Sequence, residues 1–357
     1  GDRGGRTPRR SLLPTDDLHL LYQAAVQAPE FEALFLDRLY RRITGEAATL
    51  LREDFCGTAL LACTWVAMGP RRRAIGVDID QATLDWAAQH NLAALSPAQR
   101  ERIRLVRSDV LALRRPLADL VVAFNFSYSV LKTRDLMQAY ARNARRSLKP
   151  GGLLVLDAWG GSMTQAPRQD RKRLRGCTYV WDQVSFDPIS HHTDCRIHFE
   201  FPDGSARRNA FTYDWRLWTL PELREILAEA GFEDVHVLWE TTDRKTNKGN
   251  GTFRRVAKAP ADPSWVSYLV GRGPGAARPD PAPAPSRFTI RRPAAIAVIS
   301  FTSRAGVIST MSMPTRRPLR ARPWISWRAW CSVTPPGAGA ATAGMAAGSM
   351  PSASMVR

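Results

Sequence analysis

Three carboxylates in this chain stand where short apolar runs end: Glu53, Asp78 and Asp109. A single glycine, Gly57, follows the first of them within the stretch LREDFCGTALLA. The residues before it, 47–51, are apolar and partly β-branched, and residues 60–65 after it are apolar and suited to a helix. A buried strand that turns through an acid and a glycine into a helix is the first βα turn of a doubly wound sheet. Ligands of nucleotide type sit at that turn.

The elements needed to position these acids are legible in order. From residue 49 to 157 strands and helices alternate five times, which predicts a parallel sheet covered on both faces. Strand one ends at Glu53, strand two at Asp78, strand three near Asp109, strand four at Asn125 and strand five at Asp157. Asp80 is placed to cap the helix after strand two, and Lys149-Pro150-Gly151-Gly152 stops the helix before strand five. Ahead of the sheet, Pro29 divides an apolar-periodic stretch into two helices, with Tyr22 read as a packing residue. Over 178–218 the pattern changes to two-residue alternation, Tyr179/Trp181, Cys195/Ile197/Phe199 and Phe211/Tyr213/Trp215, with hairpin chemistry at Pro202-Asp203-Gly204. This predicts an antiparallel insert that covers a pocket. A capping box, Thr219 with Glu222, opens a helix that stops at Gly231. Two strands, 233–239 and 265–270, flank a polar and mobile loop at 243–251.

The first turn separates two ligand classes. A dinucleotide needs G-x-G-x-x-G so that backbone can approach a pyrophosphate. Here the run is Phe55-Cys56-Gly57-Thr58-Ala59, and Phe55 crowds a diphosphate. One glycine is enough for a smaller group, such as the adenosine or amino-acid part of a sulfonium cofactor. Asp78, 21 residues past Gly57, can accept hydrogen bonds from both ribose hydroxyls, and Asp109 can meet an adenine amino group.

Glu53-x-x-Cys56-Gly57-Thr58-Ala59, Gly76-Val77-Asp78-Ile79-Asp80, Ser108-Asp109-Val110, residues 119–125 and Leu148-Lys149-Pro150-Gly151-Gly152 resemble, in order and spacing, the five core motifs of class I S-adenosylmethionine-dependent methyltransferases. LREDFCGT, AFNFSYS and FTYDWRLWTLPEL look like an uncharacterised subgroup of that class. The resemblance covers about residues 16–271, and departs from the family where Phe55 and Ala59 replace glycine. It implies an α/β fold: a doubly wound, Rossmann-like methyltransferase sheet of seven strands, the last antiparallel, with an antiparallel β insert after strand five. It also implies S-adenosyl-L-methionine as cofactor, with Glu53 and Gly57 at the methionine moiety, Asp78 at the ribose, and Ile79 beside it as a further cofactor-binding residue. Asp109 and Val110 fall at the adenine, and Phe124 edges the methyl-transfer site.

For the acceptor, Asn125-Phe126-Ser127-Tyr128 occupies the place where amino-methyltransferases of nucleic acids and proteins carry Asn/Asp-Pro-Pro-Tyr/Phe. Both prolines are missing, so Asn125 and Tyr128 are read as catalytic-site residues lining a small-molecule pocket. Tyr213, Trp215 and Arg216 of the insert are the substrate candidates, with Arg216 pairing a carboxylate; packing between sheets explains the two aromatics equally well. No metal is expected. His191, His192 and His198 have no ligand spacing and are read as solvated, and Cys56 is read as a small buried filler. The function expected is methyl transfer to a small-molecule N or O nucleophile. Two alternatives stand beside it, a protein or nucleic-acid methyltransferase and a non-catalytic nucleotide-binding protein.

Composition bounds the rest. The net charge of +18 is uneven: residues 272–357 carry +11, from 12 Arg against one Asp, and residues 1–271 carry only +7. Nucleic acid is therefore not the expected partner of the core. Five scattered cysteines without a CxxC pair, no secretory h-region and no long apolar run predict a cytoplasmic protein that does not cross a membrane. Residues 1–15 read as a disordered arm. Residues 272–357, rich in Arg, Pro and Ala without lysine or glutamate, read as a disordered and dispensable tail, possible translation of a non-native reading frame.

Overall fold

The computed structural model of the chain describes residues 17–242, 249–275 and 289–291. The expected N-terminal arm lies outside the described residues, as does all of the tail beyond Gly275 except 289–291. Two helices come first, α1 (Leu18–Val26) and α2 (Pro29–Thr44), divided at Pro29 as expected. The alternating units follow as β1 (Leu50–Asp54), α3 (Leu60–Ala67), β2 (Arg73–Asp78), α4 (Gln81–Ala87), a short α5 (Pro97–Arg100) and β3 (Ile103–Arg107). Then come β4 (Ala118–Ala123), α6 (Arg134–Arg146) and β5 (Leu148–Gly160). Asp80 caps α4 by accepting the Ala82 and Thr83 N–H groups.

The insert is a separate four-stranded antiparallel sheet, β6 (Arg168–Arg173), β7 (Thr178–Gln183), β8 (His192–Glu200) and β9 (Ala206–Arg216). It begins ten residues earlier than the alternation indicates, because β6 reads RQDRKR and has no apolar face to reveal it. Charges pointing inward from an edge strand also protect that edge from pairing with another chain. After α7 (Leu220–Glu229), opened by the expected Thr219–Glu222 capping box, the chain returns to the main sheet as β10 (Asp234–Thr242), β11 (Gly249–Val256), β12 (Trp265–Arg272) and β13 (Thr289–Arg291).

The main sheet has the order β13-β11-β10-β12-β5-β4-β1-β2-β3. Strands β1 to β5 run parallel, and β12 pairs antiparallel with β5, as the reversed last strand requires. The seven expected strands are present and two more extend them. β11 takes residues 249–251 out of the expected loop, and residues 243–248 lie outside the described residues. β13 places 289–291, expected to be disordered, as a ladder on β11. Both were hidden because neither TFRRV nor TIR alternates clearly between apolar and polar.

Three cores support this frame. One joins α2 and α3 to one face of the sheet, a second joins α6 and α7 to the other, and a third joins α1 to the aromatic inner face of the insert. The chain reverses direction across the sheet between β1 and β4, so the crevice at their carboxyl ends is the topological switch point where ligands bind in open α/β sheets. Among the described residues no helix is long and apolar enough to cross a membrane.

Gly76 in β2 lets the turn after β1 lie directly on the strand. A Cβ there would meet the Cys56 sulfur at 2.9 Å and Leu105 at 3.0 Å. Gly76→Ala is therefore expected to lower stability by roughly 1–3 kcal/mol, measured as a lower urea midpoint at unchanged slope; an unchanged midpoint would mean that turn and strand are not in contact.

Candidate active site

The turn after β1 keeps a glycine-like path without the glycines. Phe55, Gly57 and Ala59 all adopt left-handed φ values, 55°, 51° and 54°. For Phe55 and Ala59 that conformation costs of order 1–3 kcal/mol each. The Phe55 ring packs against Tyr140 of α6, with ring centroids 5.9 Å apart. Asp78 sets the turn from β2: its Oδ2 accepts the Gly57 N–H at 2.8 Å, and its Oδ1 accepts the Asp80 N–H at 3.0 Å. Each of these oxygens keeps a further lone pair for a ligand hydroxyl. Glu53, buried on the α3 side of β1, accepts the Ala62 N–H at 2.9 Å, and burial pushes its carboxyl well above the usual range. Glu53, Gly57 and Asp78 are thus brought together.

Ile79 is exposed beside Asp78, at 68 % of its surface, an apolar face free for a ligand ring. Asp109 is exposed and closes its own turn by accepting the Leu111 N–H at 2.8 Å. Val110 is buried, and its carbonyl accepts from Arg52 Nη2 at 3.2 Å and from Asn143 Nδ2 at 2.6 Å. Arg52 crosses from β1 to hold this loop. It donates to Asp54 at 2.6 Å, to the Leu113 carbonyl at 2.7 Å and to Ser147 Oγ at 2.8 Å. Arg52 and Asp54 are each 1 % exposed. Burial pushes the Asp54 carboxyl up, while the Arg52 guanidinium and the Tyr140 hydroxyl hold it down.

At the end of β4, Asn125 and Phe126 are both left-handed, φ 57° and 58°. Their N–H groups donate to the Asp157 carboxylate of β5 at 2.7 and 2.9 Å. Asn125 is half-buried, and its side-chain amide makes no hydrogen bond among the described residues. Tyr128, expected to line the pocket with it, turns into the core instead: it is 1 % exposed and its hydroxyl donates to the Asp157 carbonyl at 2.7 Å. Phe124 is likewise buried, with its ring centroid 5.5 Å from that of Tyr268. Its place is the core beneath the turn, so it supports the site without facing it.

The insert reaches the site through α1. The Tyr22 ring lies 4.9 Å from that of Phe211 on β9. On its other side α1 holds the cofactor turn, with Gln23 donating to Thr58 Oγ1 at 2.8 Å. Asp17 accepts from the Trp86 indole of α4 at 3.0 Å. Tyr22 therefore packs as expected and also bridges to the insert. Trp215 stands 4.3 Å from Tyr213, buried, its indole N–H without a partner. Arg216, expected to pair a substrate carboxylate, already pairs one within the protein, while its Nε–H has no partner among the described residues. It is held by Glu222 at 2.7 Å and the Lys132 carbonyl at 3.2 Å, over the Trp218 ring.

Of the histidines expected to be solvated, His192 is exposed, whereas His198 is buried between Asp182 at 3.2 Å and the Asn209 N–H at 2.7 Å. Among the described residues no three His, Cys, Asp or Glu side chains group as metal ligands. Cys56 is buried with its thiol pushed well up by burial, a filler and not a nucleophile. Sequence reasoning missed Arg52, Asp54, Asn143 and Asp157. The signal for the first two was available, since three charges in a row inside a central strand can be buried only if paired.

Residues 56–154 match a family model described as a methyltransferase domain. Over that stretch the chain resembles a methyltransferase domain. No curated protein matches the chain in sequence. The fold of the methyltransferase domain and its insert is similar to that of the CcbJ methyltransferase from Streptomyces caelestis, at 18% identity over 69% of this chain and 90% of that one, TM-score 0.52. It is similar too to CalS10, an amino pentose methyltransferase from Micromonospora echinaspora, at 18% identity over 74% and 99%, TM-score 0.51. A third is the sugar N-methyltransferase KedS8 from a Streptoalloteichus species, at 21% identity over 76% and 98%, TM-score 0.50. At these identities the likeness is one of fold.

Arg52→Ala leaves Asp54 buried without its cation and is expected to cost roughly 3–5 kcal/mol in chemical denaturation. The paired change Arg52→Met with Asp54→Leu is expected to recover part of that loss, because no uncompensated charge remains. A single variant as stable as the parent would contradict the ion pair.

Proposed function

We propose that the chain is an S-adenosylmethionine-dependent methyltransferase that acts on a nitrogen nucleophile of a small molecule. The observation that carries the reading is the pairing of two features at the switch point: the Gly57–Asp78 contact on the cofactor side and the unpartnered Asn125 amide on the acceptor side. Residues at the carboxyl ends of β1, β2 and β3 suit the cofactor. The Asp78 carboxylate fits a ribose diol, Ile79 and the 108–110 turn fit a purine, and the buried Glu53 fits the ammonium of a methionine moiety, which would draw its carboxyl back down. When bound, the cofactor supplies a methyl group on a positively charged sulfur, already activated for in-line displacement.

The residues of the chain then have three tasks: to align, to hold the acceptor and to exclude water. Asn125 offers both a carbonyl and an NH2 group, which suits an amine that must be held with its lone pair aimed at the methyl carbon. Among the described residues, the two acid–base groups bonded at this turn are both engaged: the Tyr128 hydroxyl donates to a carbonyl and both Asp157 oxygens take backbone N–H groups. An amine needs no base once deprotonated, whereas an alcohol does, so nitrogen is preferred over oxygen. CalS10, an amino pentose methyltransferase, and KedS8, a sugar N-methyltransferase, agree with this choice of acceptor. The aromatic inner face of the insert, with Tyr213 and Trp215, would wall the acceptor pocket.

The test is transfer of label from methyl-labelled S-adenosylmethionine to three separate pools: small amines, small phenols and alcohols, and macromolecules (RNA and protein). Label is expected in the amine pool. Label confined to the hydroxyl or macromolecular pool would overturn the choice of acceptor, and none in any pool would speak for a non-catalytic binder.

A further inference from the structure

Asp157 stands on β5, and its carboxylate shapes the turn after β4. Successive left-handed residues converge their N–H groups into a concavity that binds an anion. Here Asn125 and Phe126 form the concavity, and the anion is a side chain of the same protein: Oδ2 takes the first N–H at 2.7 Å and Oδ1 the second at 2.9 Å. The Tyr128 hydroxyl, two residues on, donates to the Asp157 carbonyl at 2.7 Å and fixes the backbone that carries the carboxylate. The Asn125 side chain leaves from this clamped turn without a partner of its own.

We propose that Asp157 is a positioning residue for methyl transfer, whose ionised carboxylate clamps the 125–126 turn and so aims the Asn125 amide at the acceptor. The proposal rests on the methyltransferase reading above. Protonation would place an O–H donor against one of the two N–H donors, and the clamp would lose half its hold. Burial pushes the Asp157 carboxyl from its usual 3.8 to about 7, against the lowering effect of the two N–H groups. The groups facing it are Tyr22 from α1, Tyr128 from the turn after β4 and Tyr268 opposite it on β12, none of them a cation.

The sign of the pH effect follows. Because the folded value lies above the unfolded one, the contribution of this group to stability is full below about pH 4 and is lost as pH rises through about 7. The clamp works in the opposite sense: it is set as pH rises through the same value. Transfer is therefore gained over the range in which this group ceases to stabilise the fold.

The test joins two measurements on the full chain. In nitrogen-15 NMR spectra from pH 5 to 9, the amide signals of Asn125 and Phe126 are expected to move together with one midpoint near 7; signals that do not titrate, or titrate apart, would overturn the clamp. In transfer of labelled methyl to the small-amine pool, Asp157→Asn is expected to lose on the order of 10²-fold in rate and to lose the rise through pH 7. Its affinity for S-adenosylhomocysteine should stay close to that of the parent, and Asp157→Glu should recover part of the rate. A rate and pH profile like the parent's would overturn the proposal. Should Asp157→Asn fail to fold, the amide titration of the parent decides. Failure of the parent to bind S-adenosylhomocysteine would instead bring down the methyltransferase reading itself.

Discussion

The buried ion pair of Arg52 and Asp54 is the constraint around which the site is built. A central parallel strand is covered on both faces, and an unpaired charge there is prohibitively costly. Arg52 meets that cost with four hydrogen bonds from its guanidinium: to Asp54, to two carbonyls of the 110–113 loop and to Ser147 at the end of α6. One side chain thus joins β1 to the loop after β3 and to the helix behind both. Alternation along the strand does the rest. With Arg52 and Asp54 on the α6 side, Leu51 and Glu53 fall on the α3 side, where Glu53 takes up the start of α3.

The two halves of the site are then set by two further carboxylates, each aimed at backbone N–H groups. Asp78 holds the turn after β1, and Asp157 holds the turn after β4. Both turns contain left-handed residues that are not glycine, and in both a buried or half-buried acid from the neighbouring strand supports the strained backbone. Helix α1 spans the gap between them and the insert, with Gln23 on the turn after β1 and Tyr22 against Phe211.

Much of this was legible in the sequence. The acids ending the strands and the Asp80 and Thr219 caps each carry a local signal that tertiary structure had no reason to override, whereas α6 ends at Arg146 and the KPGG expected to stop it is already part of β5. What was not legible depends on contacts far apart in sequence. Asp157 reads as the last residue of an apolar strand until its two N–H partners, more than thirty residues earlier, are seen. Tyr128 and Arg216 have the right chemistry at the right place in the chain, but each is turned away by a bond to a distant residue. β6 and β13 escaped notice because edge strands need no apolar face, and β11, between β13 and β10, because its residues do not alternate clearly. Their ladders are backbone, and backbone leaves no trace in composition.

The central claim is that the switch-point crevice holds a sulfonium nucleoside and not a dinucleotide. Isothermal calorimetry of the full chain with S-adenosylhomocysteine and, separately, with NAD tests it most directly. The account predicts saturable, one-to-one binding of S-adenosylhomocysteine and no heat of binding with NAD. Saturable binding of NAD without S-adenosylhomocysteine binding would contradict it.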